Sequence, residues 1–313
     1  MEKIALLFPG QGSQYIGMGE SFFKKYDVAR QTFEEANEIL GFDLANLCFN
    51  GSISELGQFE NLSPALLVAS VAYFRVYMQE FGITPQFCAG HSLGEYAALT
   101  CSGAIKFADA VRITRVRGLL LGEVVKMGES GMTIIDGLAP EVIEAECQKT
   151  SASEGMVAIS CYNSPEQAAI SGHNKAVNSV EDRCVEMGAQ ITPLFASPPI
   201  HSPVLKDTAA ELGKELQKYT YLPFQWPVIS NVTAKPYEDP SNVVSLLTDQ
   251  LIRPVQWVNA LKYLKENGVK LFIEMGPQNI LTNLVSVNLT EVETVCFDRK
   301  LERLALSERF NRN

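Results

Sequence analysis

The sequence predicts an α/β protein in which a large domain with a parallel sheet is interrupted by a small ferredoxin-like unit. Three observations predict it. Short apolar runs alternate with longer amphipathic segments in the first part of the chain, the rhythm of strands and covering helices. After Gly128 and Gly131 the rhythm changes to the order β-α-β-β-α-β. Strand and helix patterns of the first kind then resume, so the middle unit reads as an insertion.

The elements follow in chain order. Lys3–Phe8 is an apolar run that ends at Pro9-Gly10-Gln11-Gly12-Ser13, a buried strand and a tight loop. Helical spacing of apolar residues covers about Val28–Leu40 and Pro64–Glu80. Pro64 suits a first helical turn, where its missing N–H has no intrahelical partner to lose. Gln86–Ala89 is a short strand, Gly94–Ser102 a helix and Ala108–Met127 a longer helix. Next come strand Met132–Asp136, helix Pro140–Lys149, strands Met156–Cys161 and Gln167–Ser171 separated by Asn163-Ser164-Pro165, helix Asn174–Met187 and strand Gln190–Phe195. Residues 130–197 are therefore expected as the inserted ferredoxin-like subdomain, and 1–129 with 198–313 as the large domain. A helix at Pro203–Lys218, a strand at Val228–Ser230, a helix near Pro254–Glu266 and a strand at Val269–Glu274 complete the main layer. The charged tail after Arg299 is expected to be peripheral.

Composition narrows the function. Hydrophobic residues are 46% and charged residues 20% of 313, so the chain can bury a full core and is not disordered. A net charge of -10 argues against nucleic acid as a partner. An acidic protein partner would need a local basic patch. The seven cysteines contain no CxxC pair, which suggests neither a zinc site nor a disulfide framework, and the chain is expected to be cytoplasmic. The N-terminal apolar run is too short for a signal peptide, and no stretch is long enough to span a bilayer, so no membrane role is expected. Three histidines, His91, His173 and His201, limit any histidine base to three candidates.

Gly90-His91-Ser92-Leu93-Gly94 matches G-x-S-x-G, with an apolar strand before it and a helix after it. In that context the glycines permit a sharp turn that raises the serine Oγ into an open site, beside the N–H groups of the following helix. A glycine-rich turn with an ordinary serine is the alternative, and the context favours a nucleophile. A serine needs a base. His91 is the poorest candidate, because neighbours on a sharp turn project to different sides. His201 is favoured over His173, because Pro198, Pro199 and Pro203 stiffen its segment. In the helix Ala108–Met127, Arg117 falls within the stripe Ile113, Val116, Leu120 and Val124. A buried arginine needs an anion, either an internal carboxylate or a substrate carboxylate. Periodicity alone leaves both open and favours the internal salt bridge.

Several ordered motifs extend the pattern: Phe8-Pro9-Gly10-Gln11-Gly12-Ser13-Gln14, Gly90-His91-Ser92-Leu93-Gly94-Glu95, Arg117-Gly118, Asn163-Ser164-Pro165, His201, Ser230-Asn231-Val232, Pro254-Val255-Gln256-Trp257 and Glu274-Met275-Gly276-Pro277. Together they resemble the malonyl-CoA:acyl-carrier-protein transacylases, including free-standing acyltransferases that serve polyketide synthases. The resemblance implies an α/β-hydrolase-like large domain and an enzyme of fatty acid or polyketide biosynthesis. It implies malonyl-CoA as substrate, an acyl carrier protein as partner bringing the phosphopantetheine thiol, and no permanently bound cofactor or metal. It makes Ser92 the acylated nucleophile and His201 the base, oriented by a backbone carbonyl near Gln250. Backbone N–H groups of Gln11 and Leu93 would form the oxyanion hole, and Arg117 would hold the malonyl carboxylate. Asn163 and His91 would support the pocket. Ser63, before Pro64, and Ile200, before His201, depart from the family pattern, and the position of Ile200 shapes the floor of the acyl pocket in that family. A proofreading hydrolase of carrier-bound acyl groups and a non-catalytic docking module are the alternatives.

Overall fold

The computed structural model describes residues 2–311. β1 (Lys3–Phe8) leads through the turn at Gly10–Ser13 into a helical layer. This layer holds α1 (Glu20–Lys25), α2 (Asp27–Leu40), α3 (Leu44–Asn50), α4 (Ile53–Leu56) and α5 (Phe59–Phe81). β2 (Phe87–Gly90) turns at once into α6 (Gly94–Cys101), and α7 (Phe107–Met127) follows. Then come β3 (Ser130–Asp136), α8 (Pro140–Ser151), β4 (Val157–Ser164), β5 (Gln167–His173), α9 (Asn174–Glu186) and β6 (Gln190–Leu194). The chain continues with α10 (Lys206–Leu216), β7 (Val228–Ile229), α11 (Asn242–Gln250), α12 (Trp257–Glu266), β8 (Val269–Glu274), α13 (Ile280–Asn288), β9 (Glu293–Cys296) and α14 (Lys300–Asn311).

The strands form two sheets. One is five-stranded and parallel throughout, in the order β7-β2-β1-β8-β9. Its central strand β1 is buried from Ile4 to Phe8, as a strand covered on both faces must be. The other is antiparallel, in the order β4-β5-β3-β6, the arrangement of a ferredoxin-like sheet. The two sheets share a core: Ala5, Leu7 and Ala89 of the parallel sheet belong to one buried cluster with Cys161, Ala169, Val255 and Trp257. Backbone bonds from Tyr162 N–H to the Val255 carbonyl and from Val255 N–H to the Ser160 carbonyl stitch β4 to the chain before α12. No helix is long and apolar enough to cross a membrane among the described residues.

Four local expectations need correction. The helix α5 starts at Phe59, so Pro64 lies inside it. Proline cannot donate to the carbonyl of Glu60, and that carbonyl instead accepts from Arg115 Nη1 at 2.6 Å. β4 runs on through Asn163 and Ser164, leaving only Pro165 and Glu166 between the paired strands. The buried stripe of α7 is rotated from the expected one. Ala110, Ile113, Thr114, Arg117 and Leu121 are buried, while Val116, Leu120 and Val124 are only partly so. The tail after Arg299 is the helix α14, whose Leu306 is buried in the main core.

All seven cysteines are buried and unpaired. Burial raises their thiol pKa values, to about 12 for Cys48, Cys147, Cys161 and Cys296 and to about 11 for Cys184.

The turn between β2 and α6 packs without clearance. A Cβ on Gly90 would lie 2.0 Å from the Gly94 carbonyl carbon, and one on Gly94 would lie 2.0 Å from the Phe8 carbonyl oxygen. Alanine at either position must push backbone apart. Gly90→Ala and Gly94→Ala are expected to lower stability by about 1–3 kcal/mol, read from urea unfolding midpoints. Unchanged midpoints would show that the turn has slack.

Candidate active site

The tight packing of this turn sets the conformation of Ser92. Its φ is 52°, in the left-handed region that a non-glycine residue rarely occupies. His91 N–H donates to the Phe8 carbonyl at 3.0 Å, which binds the turn to the end of β1. Ser92 therefore stands between the C-terminal edge of the parallel sheet and the N-terminus of α6. Its own N–H is committed to Asn231 Oδ1 at 2.6 Å. Any oxyanion at Ser92 must then find donors elsewhere, and the next N–H along the turn is that of Leu93. Gln11 sits in the turn that follows Phe8, where Ser13 Oγ closes on the Gly10 carbonyl at 2.8 Å. Gln278 Nε2 steadies the same loop from outside, donating to the Ser13 carbonyl at 3.2 Å.

His201 meets Ser92. Its Nε2 lies 2.7 Å from Ser92 Oγ, and its Nδ1 lies 2.5 Å from the Gln250 carbonyl oxygen. A carbonyl can only accept, so Nδ1 carries the proton and Nε2 offers a lone pair to the serine hydroxyl. His201 also has a left-handed backbone, with φ 64°, and its N–H donates to the Leu251 carbonyl at 2.9 Å. The end of α11 thus holds His201 twice, at the ring through Nδ1 and at the backbone through its N–H. Burial pushes its pKa down from 6.5 to about 3; the Gln250 carbonyl opposes this shift, and the Arg117 and His91 charges add to it. The ring is a neutral base across the ordinary pH range.

The other candidates separate. His173 caps α9, and its Nδ1 accepts the Met156 N–H at 3.0 Å, a turn role. His91 turns away from Ser92. Its Nε2 lies 3.0 Å from Asn163 Oδ1, and its ring meets Trp257 edge-on. Asn163 Nδ2 in turn donates to Gln167 Oε1 at 3.0 Å, which joins this contact to the antiparallel sheet. Ile200 is buried, and its carbonyl accepts from Ser171 Oγ at 2.9 Å. Ser63 is buried within α5. Neither side chain hydrogen-bonds the dyad among the described residues.

Arg117 is 2% exposed, yet its Nε and Nη2 have no hydrogen-bond partner. Its guanidinium carbon lies 5.7 Å from the Tyr96 ring centre. No carboxylate pairs with it among the described residues, which removes the internal salt bridge that periodicity favoured. Burial alone holds its pKa below the usual arginine value, opposed by Tyr96. The guanidinium is thus buried with no neutralising carboxylate among the described residues, and its charge lowers the pKa of His201.

Three residues at the site carried no role in the sequence reading: Asn231, Glu95 and Tyr237. Asn231 Nδ2 donates to the Gly90 carbonyl at 2.5 Å, so its side chain clamps both sides of His91. Glu95 is fully buried in the first turn of α6, and Tyr237 OH donates to it at 2.6 Å. The available signal was one charge in the otherwise apolar stretch Tyr96-Ala97-Ala98-Leu99. Among the described residues, no group of three or more His, Cys, Asp or Glu side chains is placed to hold a metal ion.

The depressed pKa of His201 has a sign that can be tested. Its folded value lies below that of free imidazole, so the base form persists as pH falls through 6.5 and is lost only near 3. The kcat/KM for acylation of Ser92 should therefore show no falling limb near pH 6.5 in a profile from about pH 8 to about pH 5. A limb centred there would show an imidazole in contact with solvent.

Known proteins resemble this chain in sequence and in fold. The sequence pattern of the acyl transferase domain family matches residues 5–302. The malonyl CoA-acyl carrier protein transacylase of Escherichia coli (strain K12) is 41% identical over 286 residues, 91% of this chain and 92% of that protein. One from Bacillus subtilis is 38% identical over 313 residues, 100% of this chain and 78% of that protein. The transacylase structure from Coxiella burnetii superposes with a TM-score of 0.95 at 36% identity, covering 99% of this chain and 98% of that one. A solved type II PKS acyl-carrier protein in complex with its malonyl-transacylase matches with a TM-score of 0.95 at 35% identity, covering 98% of this chain and 99% of the matched one. Nearly the whole chain is accounted for by these likenesses, and it belongs to the acyl transferase domain family as an acyltransferase.

Proposed function

We propose that the protein moves a malonyl group from malonyl-CoA to the phosphopantetheine thiol of an acyl carrier protein, through an acyl-Ser92 intermediate. The observation that carries this reading is the buried Arg117 guanidinium with no carboxylate of its own beside a Ser–His pair. A malonyl group supplies what is missing: a free carboxylate at one end and a thioester carbonyl at the other. The names and sequences of the relatives support the same substrates and partner.

The chemistry follows from the geometry. Ser92 Oγ attacks the thioester carbonyl while His201 Nε2 takes its proton. The N–H groups of Leu93 and Gln11 receive the developing oxyanion. The carbon–sulfur bond breaks, and His201 returns the proton to the CoA sulfur. In the second half the carrier thiol gives its proton to His201 and attacks the ester. Ser92 then leaves with that proton restored. The Gln250 carbonyl holds the imidazole in one tautomer throughout. His91 and Asn163 brace the turn against the inserted sheet, and Ile200 and Ser63 shape the acyl pocket. The proposal includes no resident cofactor, a cytoplasmic setting and the division of the chain into 1–129 with 198–313 and the insert 130–197.

Loading is checked by mass spectrometry of a carrier protein incubated with enzyme and malonyl-CoA. A malonyl adduct on the carrier, lost in Ser92→Ala, is expected. Release of free acid with no loaded carrier would instead identify a hydrolase. Arg117→Ala should lower kcat/KM for malonyl-CoA by about 10- to 100-fold, the worth of a charged hydrogen-bonded pair, and should affect acetyl-CoA less. Unchanged malonyl kinetics would exclude Arg117 from the carboxylate site.

A further inference from the structure

Glu95 is the only carboxylate in direct contact with the residues that hold the dyad among the described residues, and it touches neither Ser92 Oγ nor His201. It is fully buried and faces no cation. Neutral donors satisfy it, the Ser230 hydroxyl and three others. Tyr237 OH and Asn231 N–H reach Oε1 at 2.6 and 3.1 Å, and Gln250 Nε2 reaches Oε2 at 2.5 Å.

Two of these donors lead to the two halves of the dyad. Asn231 holds the serine turn, accepting from Ser92 N–H and donating to the Gly90 carbonyl. Gln250 holds both halves at once. Its side-chain Nε2 donates to the Ser92 carbonyl at 2.9 Å, and its backbone carbonyl accepts from His201 Nδ1. Gln250 Oε1 is buried with no partner, so the amide is oriented entirely by what its nitrogen meets, Glu95 and Ser92. A single carboxylate thus fixes Asn231 and Gln250 relative to each other, and through them the serine turn relative to the imidazole.

We infer that Glu95 is a positioning residue that sets the Ser92–His201 distance, acting through Asn231 on the nucleophile and through Gln250 on both partners. This inference takes the dyad from the function proposed above, but it does not depend on which acyl group is carried. The carboxylate is needed for its two acceptor oxygens. Glutamine at position 95 would keep one oxygen for Tyr237 and Asn231 and would turn an N–H2 toward the Gln250 N–H2. Gln250 could relieve that by rotating its amide, which would set its oxygen against the Ser92 carbonyl. In the first case the bond between position 95 and Gln250 is lost, and in the second the tether between Gln250 and Ser92.

The test compares the wild-type enzyme with Glu95→Gln and Gln250→Met, reading three quantities. These are the rate of Ser92 labelling by a fluorophosphonate, kcat and KM for malonyl-CoA, and the melting temperature. Gln250→Met keeps the backbone carbonyl under His201 and removes only the amide tether, so it decides the matter if Glu95→Gln does not fold. Glu274→Gln serves as the stability control. Glu274 is a second buried carboxylate, which caps α13 by accepting from Leu281 and Thr282 N–H. Both site variants are expected to slow labelling and kcat by about 10- to 100-fold with KM within about twofold, the signature of a misplaced nucleophile. Labelling at the wild-type rate in a folded variant overturns the inference. An equal loss in Glu274→Gln at a matched melting temperature also overturns it, since the effect would then be one of stability. Wild-type enzyme that takes the fluorophosphonate but forms no malonyl adduct would overturn the malonyl reading alone, and the labelling rates would still decide the role of Glu95.

Discussion

The site depends on the absence of room around the turn after β2. Gly90 and Gly94 bring backbone against backbone, and Phe8 closes the turn from the neighbouring strand. Ser92 holds a left-handed conformation within this turn. Strain of this kind costs on the order of 1–3 kcal/mol per residue and persists only where the surroundings over-determine it. The protein holds two such residues face to face, Ser92 and His201; the side chains of Asn231 and Gln250 bond the backbone of the first, and the Leu251 carbonyl bonds that of the second. The short distance between them therefore belongs to the scaffold and is not a chance meeting of two flexible side chains.

Two buried ionisable side chains, one acidic and one basic, flank this pair and do not pair with each other. Glu95 is satisfied by neutral donors, and burial still raises its pKa to about 7. Arg117 meets Tyr96 but pairs with no carboxylate among the described residues, and its Nε and Nη2 have no hydrogen-bond partner. The asymmetry separates structure from recognition. A fully bonded buried group fixes geometry, whereas an unbonded one remains available to a ligand.

Much of this was legible in the chain, and the reasons for the rest are physical. The strands and long helices were readable because burial imposes a period, and the ferredoxin-like order followed from the sequence of elements alone. Ser92 and His201 could be singled out because a strained turn needs glycines and because only three histidines exist. Arg117 was placed on a buried face, but whether a carboxylate met it depended on residues distant in sequence, and periodicity does not reach those. The short helices α1, α3 and α4 are too brief to show a period. Pro64 misled because its helix survives on a bond from Arg115, far along the chain. Glu95 and Asn231 stood in the matched motifs without a role, since their partners lie more than a hundred positions away.

The burial of the cysteines bears on chemical selectivity. For the proposed reaction, the second half requires a thiol to attack an activated ester, and the protein carries seven thiols of its own. A thiol must ionise to compete as an acyl acceptor. Every one of these is buried, and burial suppresses its thiolate. The enzyme can therefore be rich in cysteine and still resist poisoning by its own acyl donors, so that the one thiol that is both ionisable and admitted to the serine is the one a partner brings.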